Sequence, residues 1–223
     1  MDRIRQLETA AAAIEPELRL ALAATAMAAA NAPALIPPLV AHWSAALPPA
    51  GAVRAVELAR EALVKMLATI GAPRVINAMA ALVDAADGPV RAALSTDARR
   101  TAREYRYEPT RERGLGLWRG VYSAQADRLQ AKIAAWCPDL IEVIQTDLYG
   151  RLLSDCRVLD ARATELCSIC ALVPLDVPAQ LKSHTMGAAR MGASPAEVAA
   201  AAAIAEAVCE QAAQIKAIRH ALS

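Results

Sequence analysis

Residues 159–198 read LDARATELCSICALVPLDVPAQLKSHTMGAARMGASPAEV, and the punctuation of this stretch decides the fold. Asp160 is placed to cap a helix running to about Val173, because a carboxylate at the N-cap accepts from the free N–H groups of the first turn. Pro174 to Val177 makes a turn, since proline drives the residue before it out of helical conformation, and a second helix runs from about Pro178 to Arg190. Gly192 stands where that helix stops. Ser194-Pro195-Ala196-Glu197 then opens a third helix, as a capping box with proline at the first helical position. So short a turn makes the first two helices antiparallel neighbours. With the turn centred near Leu175 and Asp176, Glu165 comes within about 3 Å of His184 along the helix axis.

The same punctuation recurs outward. Gly71-Ala72-Pro73, Asp87-Gly88-Pro89 and Cys137-Pro138 divide Ala-rich windows whose Leu, Ile, Val and Met fall three and four residues apart. Runs alternating with period two are missing, so the chain reads as all-α. Of the 223 residues 56% are hydrophobic and none is Phe, and so much apolar surface excludes disorder. A net charge of +1 gives no field for gripping nucleic acid. The uncharged run from Leu20 to Val53 invites a membrane reading, but Pro33, Pro37, Pro38, Pro48 and Pro49 break it into pieces too short to cross a bilayer. Asp2, Glu8, Glu15 and Glu17 stand where a secretory signal would be apolar, so a cytoplasmic location and no membrane contact are expected.

Between Arg91 and Arg113 the composition changes to seven Arg against Asp97, Glu104, Glu108 and Glu112, the pattern of a charged connector. The interspersed acids favour a solvated face, with anion or partner binding by the Arg cluster as the other reading. The connector divides the chain into a helical half at 1–90, the connector at 91–113 and a second helical unit at 114–223. Ala24 to Leu47 can be laid over Leu166 to Ala189, setting His42 on His184 142 residues later. The expectation is an internal duplication of a helical-hairpin unit about a pseudo-twofold axis.

Glu165 and His184 are the candidate catalytic pair. A carboxylate orients and charges an imidazole that titrates near neutral pH and can move a proton to or from carbon or oxygen. The plainer reading is a buried pair that joins two helices. Cys167 and Cys170 form a Cys-x-x-Cys match and thus an alternative redox dithiol, yet they point about 200° and 140° away from Glu165 and lie inside the helix, where buried structural thiols are expected. The three His and five Cys show no paired spacing for a metal. His42 has Ala23, not an acid, nineteen residues before it, and reads as a packed or capping histidine. His220 suits a charge cluster at a helix C-terminus. No phosphate loop or dinucleotide fingerprint is present.

The stretch resembles the carboxymuconolactone decarboxylase and alkylhydroperoxidase D superfamily through LYGRLLSDCRVLDARATEL, QLKSH and GASPAEV. RYEPTRERGLGLWRGVYS looks like the start of such a domain, and VELAREALVKMLATIGAPRVINAMAAL like its C-terminal helix, as if a partial unit were fused to a fuller one. The resemblance implies an alkylhydroperoxidase D-like helical bundle that self-associates as a homotrimer or homohexamer, with sites in helical clefts. It carries the proton-relay Glu and His onto Glu165 and His184. The redox cysteines of the peroxidase branch would fall at Val177 and Gln180, which breaks that mechanism unless Cys167 or Cys170 substitutes. The decarboxylase branch implies no cofactor and a small organic acid or lactone as substrate, with His184 as general acid, Glu165 as its partner and Lys182 or Arg190 as carboxylate anchors. A non-catalytic, self-assembling member is the remaining alternative.

Overall fold

The structure is a computed structural model that describes residues 2–221, without the side chains of residues 2, 216 and 218–221. The His220 reading lies outside the described side chains. Every regular element among the described residues is helical. The first half runs α1 (Asp2–Ala10), α2 (Pro16–Ala29), α3 (Ile36–Ala45), α4 (Pro49–Lys65), α5 (Leu67–Ile70), α6 (Ala72–Ala85) and α7 (Gly88–Ala93). The second runs α8 (Tyr107–Tyr122), α9 (Ala126–Trp136), α10 (Pro138–Val143), a π-helical stretch (Ile144–Leu153), α11 (Ala161–Leu175), α12 (Pro178–Arg190) and α13 (Pro195–Ala221).

The predicted caps form. Asp160 accepts from the Ala163 N–H at 2.7 Å. Ser194 and Glu197 close a reciprocal capping box, with Ser194 N–H to Glu197 Oε2 at 2.8 Å and Glu197 N–H to Ser194 Oγ at 3.2 Å. Gly192 adopts φ +96°, a left-handed turn that costs glycine little. One boundary differs: α11 continues through Pro174 and ends at left-handed Asp176, φ 52°. Proline near a helix C-terminus forfeits only one of the last hydrogen bonds, so it does not force an earlier stop.

Alanine sets the architecture. Leu20 through Ala29 of α2 and Ala163 through Leu172 of α11 are buried without interruption, so both helices are surrounded rather than amphipathic. They pack on each other, α2 also against α4 and α13, and α11 also against α12 and α13. The helices of residues 16–65 and 161–221 follow in the same order. One hydrophobic core takes residues from both halves, from Leu7 and Leu20 to Ile204 and Val208. The connector keeps non-helical backbone only over residues 94–106, because α8 already begins at Tyr107.

Glycine permits a second close crossing. A Cβ on Gly114 of α8 would stand 2.7 Å from the Gly150 nitrogen, and one on Gly150 2.5 Å from the Thr110 carbonyl oxygen. Neither backbone can yield cheaply. Gly114→Ala is expected to lower stability by about 3 kcal/mol, read as a fall in the urea midpoint; an unchanged midpoint would show that the crossing is loose.

Candidate functional site

The hairpin of α11 and α12 brings Glu165 and His184 together as their spacing predicts. His184 Nδ1 lies 2.8 Å from Glu165 Oε2, with the carboxylate side chain fully buried and that of the histidine 7% exposed. Glu165 Oε1 is buried without a partner. His184 Nε2 has no protein partner among the described residues and, unlike Oε1, is not sealed from solvent. Nδ1 is thus held by the carboxylate, and Nε2 is left without a protein partner.

Room for the carboxylate comes from Gly187, one turn after His184. A Cβ there would stand 2.6 Å from Glu165 Oε2 and 2.9 Å from Val121 Cγ1. The other wall is aromatic. The Tyr122 ring meets the His184 ring edge-on at 6.3 Å, and Trp118 lies 4.3 Å from Tyr122 and 5.1 Å from Tyr149 between ring centroids. The Tyr149 hydroxyl donates to that of Tyr122 at 3.0 Å. Burial, followed by the nearby phenols and the Glu165 charge, pushes Tyr149 well above the usual phenol range, and burial also raises Tyr122. Both therefore stay protonated as donors. Sequence reasoning missed Tyr122, Tyr149 and Gly187. The signals available were aromatics four residues apart in Trp118 and Tyr122, and glycine within the helix that carries the histidine.

The remaining candidates are not brought to the pair. Lys182 is exposed and sits about 200° around α12 from His184. Arg190 donates to the Val121 carbonyl at the end of α8, so it ties two helices rather than presenting a free anchor. Cys167 and Cys170 are both fully buried, and Cys170 Sγ donates to the Ala201 carbonyl at 3.3 Å on α13. Burial pushes the Cys167 thiol up to about 12 and Cys170 well above its ordinary value. Neither supplies a thiolate beside Glu165 and His184, which weighs against the redox-dithiol alternative. His42 does have an acid, Glu8 of α1 at 2.6 Å, thirty-four residues earlier and half-exposed. No group of three or more His, Cys, Asp or Glu among the described residues is placed to hold a metal ion.

The thiols give a direct check. Native titration with a thiol reagent is expected to modify exposed Cys137 and Cys156 at once, and Cys167 and Cys170 only after unfolding. Because the folded Cys167 holds its proton from its ordinary 9.0 up to about 12, its contribution to stability is present below pH 9.0 and lost as pH rises to about 12. Fast labelling of the buried pair in a Cys137→Ser/Cys156→Ser variant would reinstate a thiol mechanism.

An all-α protein with a carboxylate–imidazole couple across a helical hairpin is what the fold and site define. The model of the carboxymuconolactone decarboxylase family matches residues 145–222. Two relatives bear the name Peroxisomal protein 2. The Saccharomyces cerevisiae (strain ATCC 204508 / S288c) protein is 34% identical over 83 residues, covering 37% of this chain and 29% of the relative. That of Schizosaccharomyces pombe (strain 972 / ATCC 24843) is 30% identical over 142 residues, covering 64% of each chain. The chain thus spans less than two thirds of the length of either relative. No solved structure matches it significantly. Among the described residues one helix, within Pro195–Ile215, is long and apolar enough to cross a membrane, and 44% of its most apolar window is buried in the fold.

Proposed function

We propose that the protein is a cofactor-free acid–base enzyme acting on a small organic acid or lactone, with decarboxylation the favoured reaction. The observation that carries this reading is the His184 Nδ1 to Glu165 Oε2 bond at 2.8 Å, with Nε2 left free and no thiolate near it. In such a reaction the bond to the departing carboxylate breaks and carbon dioxide leaves. The electron pair passes into the lactone carbonyl as an enolate, and protonated His184 delivers its Nε2 proton to the carbon. The Tyr122 hydroxyl, which accepts from Tyr149 and keeps its own proton, stands ready to donate to the enolate oxygen.

The reading includes self-association, as a homotrimer or homohexamer. Its support is exposed Trp136, Leu140 and Val143 on α9 and α10, and exposed Met186 two residues past His184. An internal duplication is inferred from the same helix order in residues 16–65 and 161–221. The names of the yeast relatives favour a peroxisomal location over the cytoplasmic one expected from sequence. The full burial of Glu165 favours a second reading, a non-catalytic structural pair.

The experiment is to incubate the full chain in D2O with a panel of small carboxylated lactones and unsaturated acids, and to follow them by NMR. Loss of the carboxyl group with deuterium at the adjacent carbon is the expected result. If no compound loses its carboxyl group or exchanges hydrogen, the acid–base reading gives way to the structural one.

A further inference from the structure

The connector and the turn after the π-helical stretch enclose a cleft of about 440 Å³, within the range of small-ligand sites. Arg99, Arg100, Arg113, Arg151 and Arg157 line it, against two carboxylates, Glu104 and Asp155. Neither Glu165 nor His184 lines this cleft, so it is separate from the candidate catalytic pair.

Its hydrogen bonds separate structural arginines from unspent ones. Arg157 takes Asp155 at 2.6 Å and Glu104 at 3.3 Å, which occupies both acids. Arg100 is consumed by Glu61 and by the Arg151 carbonyl at 3.0 Å. Three guanidinium groups are left. Arg113 spends Nε on Ser154 Oγ at 3.1 Å and Nη2 on the Gly150 carbonyl at 3.0 Å, leaving Nη1. Arg151 spends one nitrogen on the Arg100 carbonyl at 3.2 Å and lies 5.5 Å over the Tyr105 ring. Arg99 reaches a carboxylate only at 4.0 Å, on Glu57. Three like charges in one concavity repel each other; Arg99 presents an unspent planar donor fork to an oxyanion, and Arg151 and Arg113 add the donors left to them. The concavity is small and the whole chain carries only +1, which suits a compact anion and not a nucleic-acid strand.

We propose that this cleft binds a small polyanion bearing two or more oxyanion groups, gripped by Arg99, Arg113 and Arg151. The bound anion completes the neutralisation that Glu104 and Asp155 begin. The chemistry is shared by phosphate esters and polycarboxylic acids, and the test separates them.

Titration calorimetry and thermal melting of the full chain with pyrophosphate and with citrate, against potassium chloride at matched ionic strength, read the site directly. At least one of the two is expected to bind saturably and raise the melting midpoint beyond the salt control. Pyrophosphate alone would mark a phosphate site, citrate alone a carboxylate site, and both a general oxyanion site. Arg151→Gln and Arg99→Gln, which break few internal bonds, are each expected to weaken binding about tenfold; Arg113→Gln also loses two structural bonds and serves only with a circular-dichroism check of folding. Binding no different from the salt control, or binding unchanged in the Arg99→Gln/Arg151→Gln double variant, would overturn the proposal.

Discussion

Replacing His184 with glutamine is expected, on the proposed acid–base reading, to reduce turnover of a small acid or lactone by about 10²–10⁴-fold, the usual worth of a positioned proton donor. Glutamine fills similar space and can still hydrogen-bond Glu165 Oε2, so the fold should persist. Glu165→Gln should also lower turnover, because it withdraws the carboxylate that orients the imidazole. The two losses should not add, since each residue acts through the same 2.8 Å bond. A structural pair behaves otherwise: both variants would lower the melting midpoint and leave any turnover intact. Comparing kcat with unfolding midpoints in the two variants therefore discriminates the readings.

Lys65 carries the second large effect. It is the last residue of α4 and wholly buried, and its ammonium donates to the Leu153 carbonyl at 3.0 Å, the Leu159 carbonyl at 2.8 Å and Thr164 Oγ1 at 2.7 Å. All three protons of the group are used. Lys65→Ala is expected to cost about 3–5 kcal/mol, because it opens a cavity and orphans three buried acceptors. Lys65→Met keeps the volume and should cost less. Burial holds the Lys65 pKa below its ordinary 10.5, against the pull of neighbouring Cys156 and Glu61. Between its folded value and 10.5 the unfolded chain binds the proton that the native one has released, so this group makes stability rise with pH in that window. Lys65→Met should abolish that rise in urea titrations. A midpoint change worth less than about 1 kcal/mol in Lys65→Ala would mean that water reaches the ammonium after all.

Lys65 also positions the site at a distance. Its bonds clamp residues 153–159 and the first turn of α11 onto α4, and Glu165 follows Thr164 directly. A loosened clamp should thus reach turnover as well as stability.

The contrast between Lys65 and Glu165 shows what was legible in the sequence. Asp160, Ser194, Glu197 and Gly192 act within a few residues of where they stand, and the geometry of one helical turn fixes their partners; the α11–α12 hairpin and its Glu165–His184 meeting follow from them. Lys65 meets partners about ninety and a hundred residues away. Nothing local separates it from a solvated lysine at a helix end. Tyr122 and Tyr149 come together only because Gly114 and Gly150 let two backbones cross, and glycine spacing alone does not announce a partner. The acid beside His42 was illegible for the same reason: Glu8 belongs to a helix placed by tertiary packing.

The contact between α2 and α11 bears on the integrity of the chain itself. Each helix belongs to a different half, and each is enclosed by neighbours from both. A protease that nicked the exposed residues 96–98 or 102–104 would sever the polypeptide without separating its interior. The two fragments would co-migrate under native conditions and part only in denaturant, so the connector offers a natural seam for a split protein reassembled from its halves.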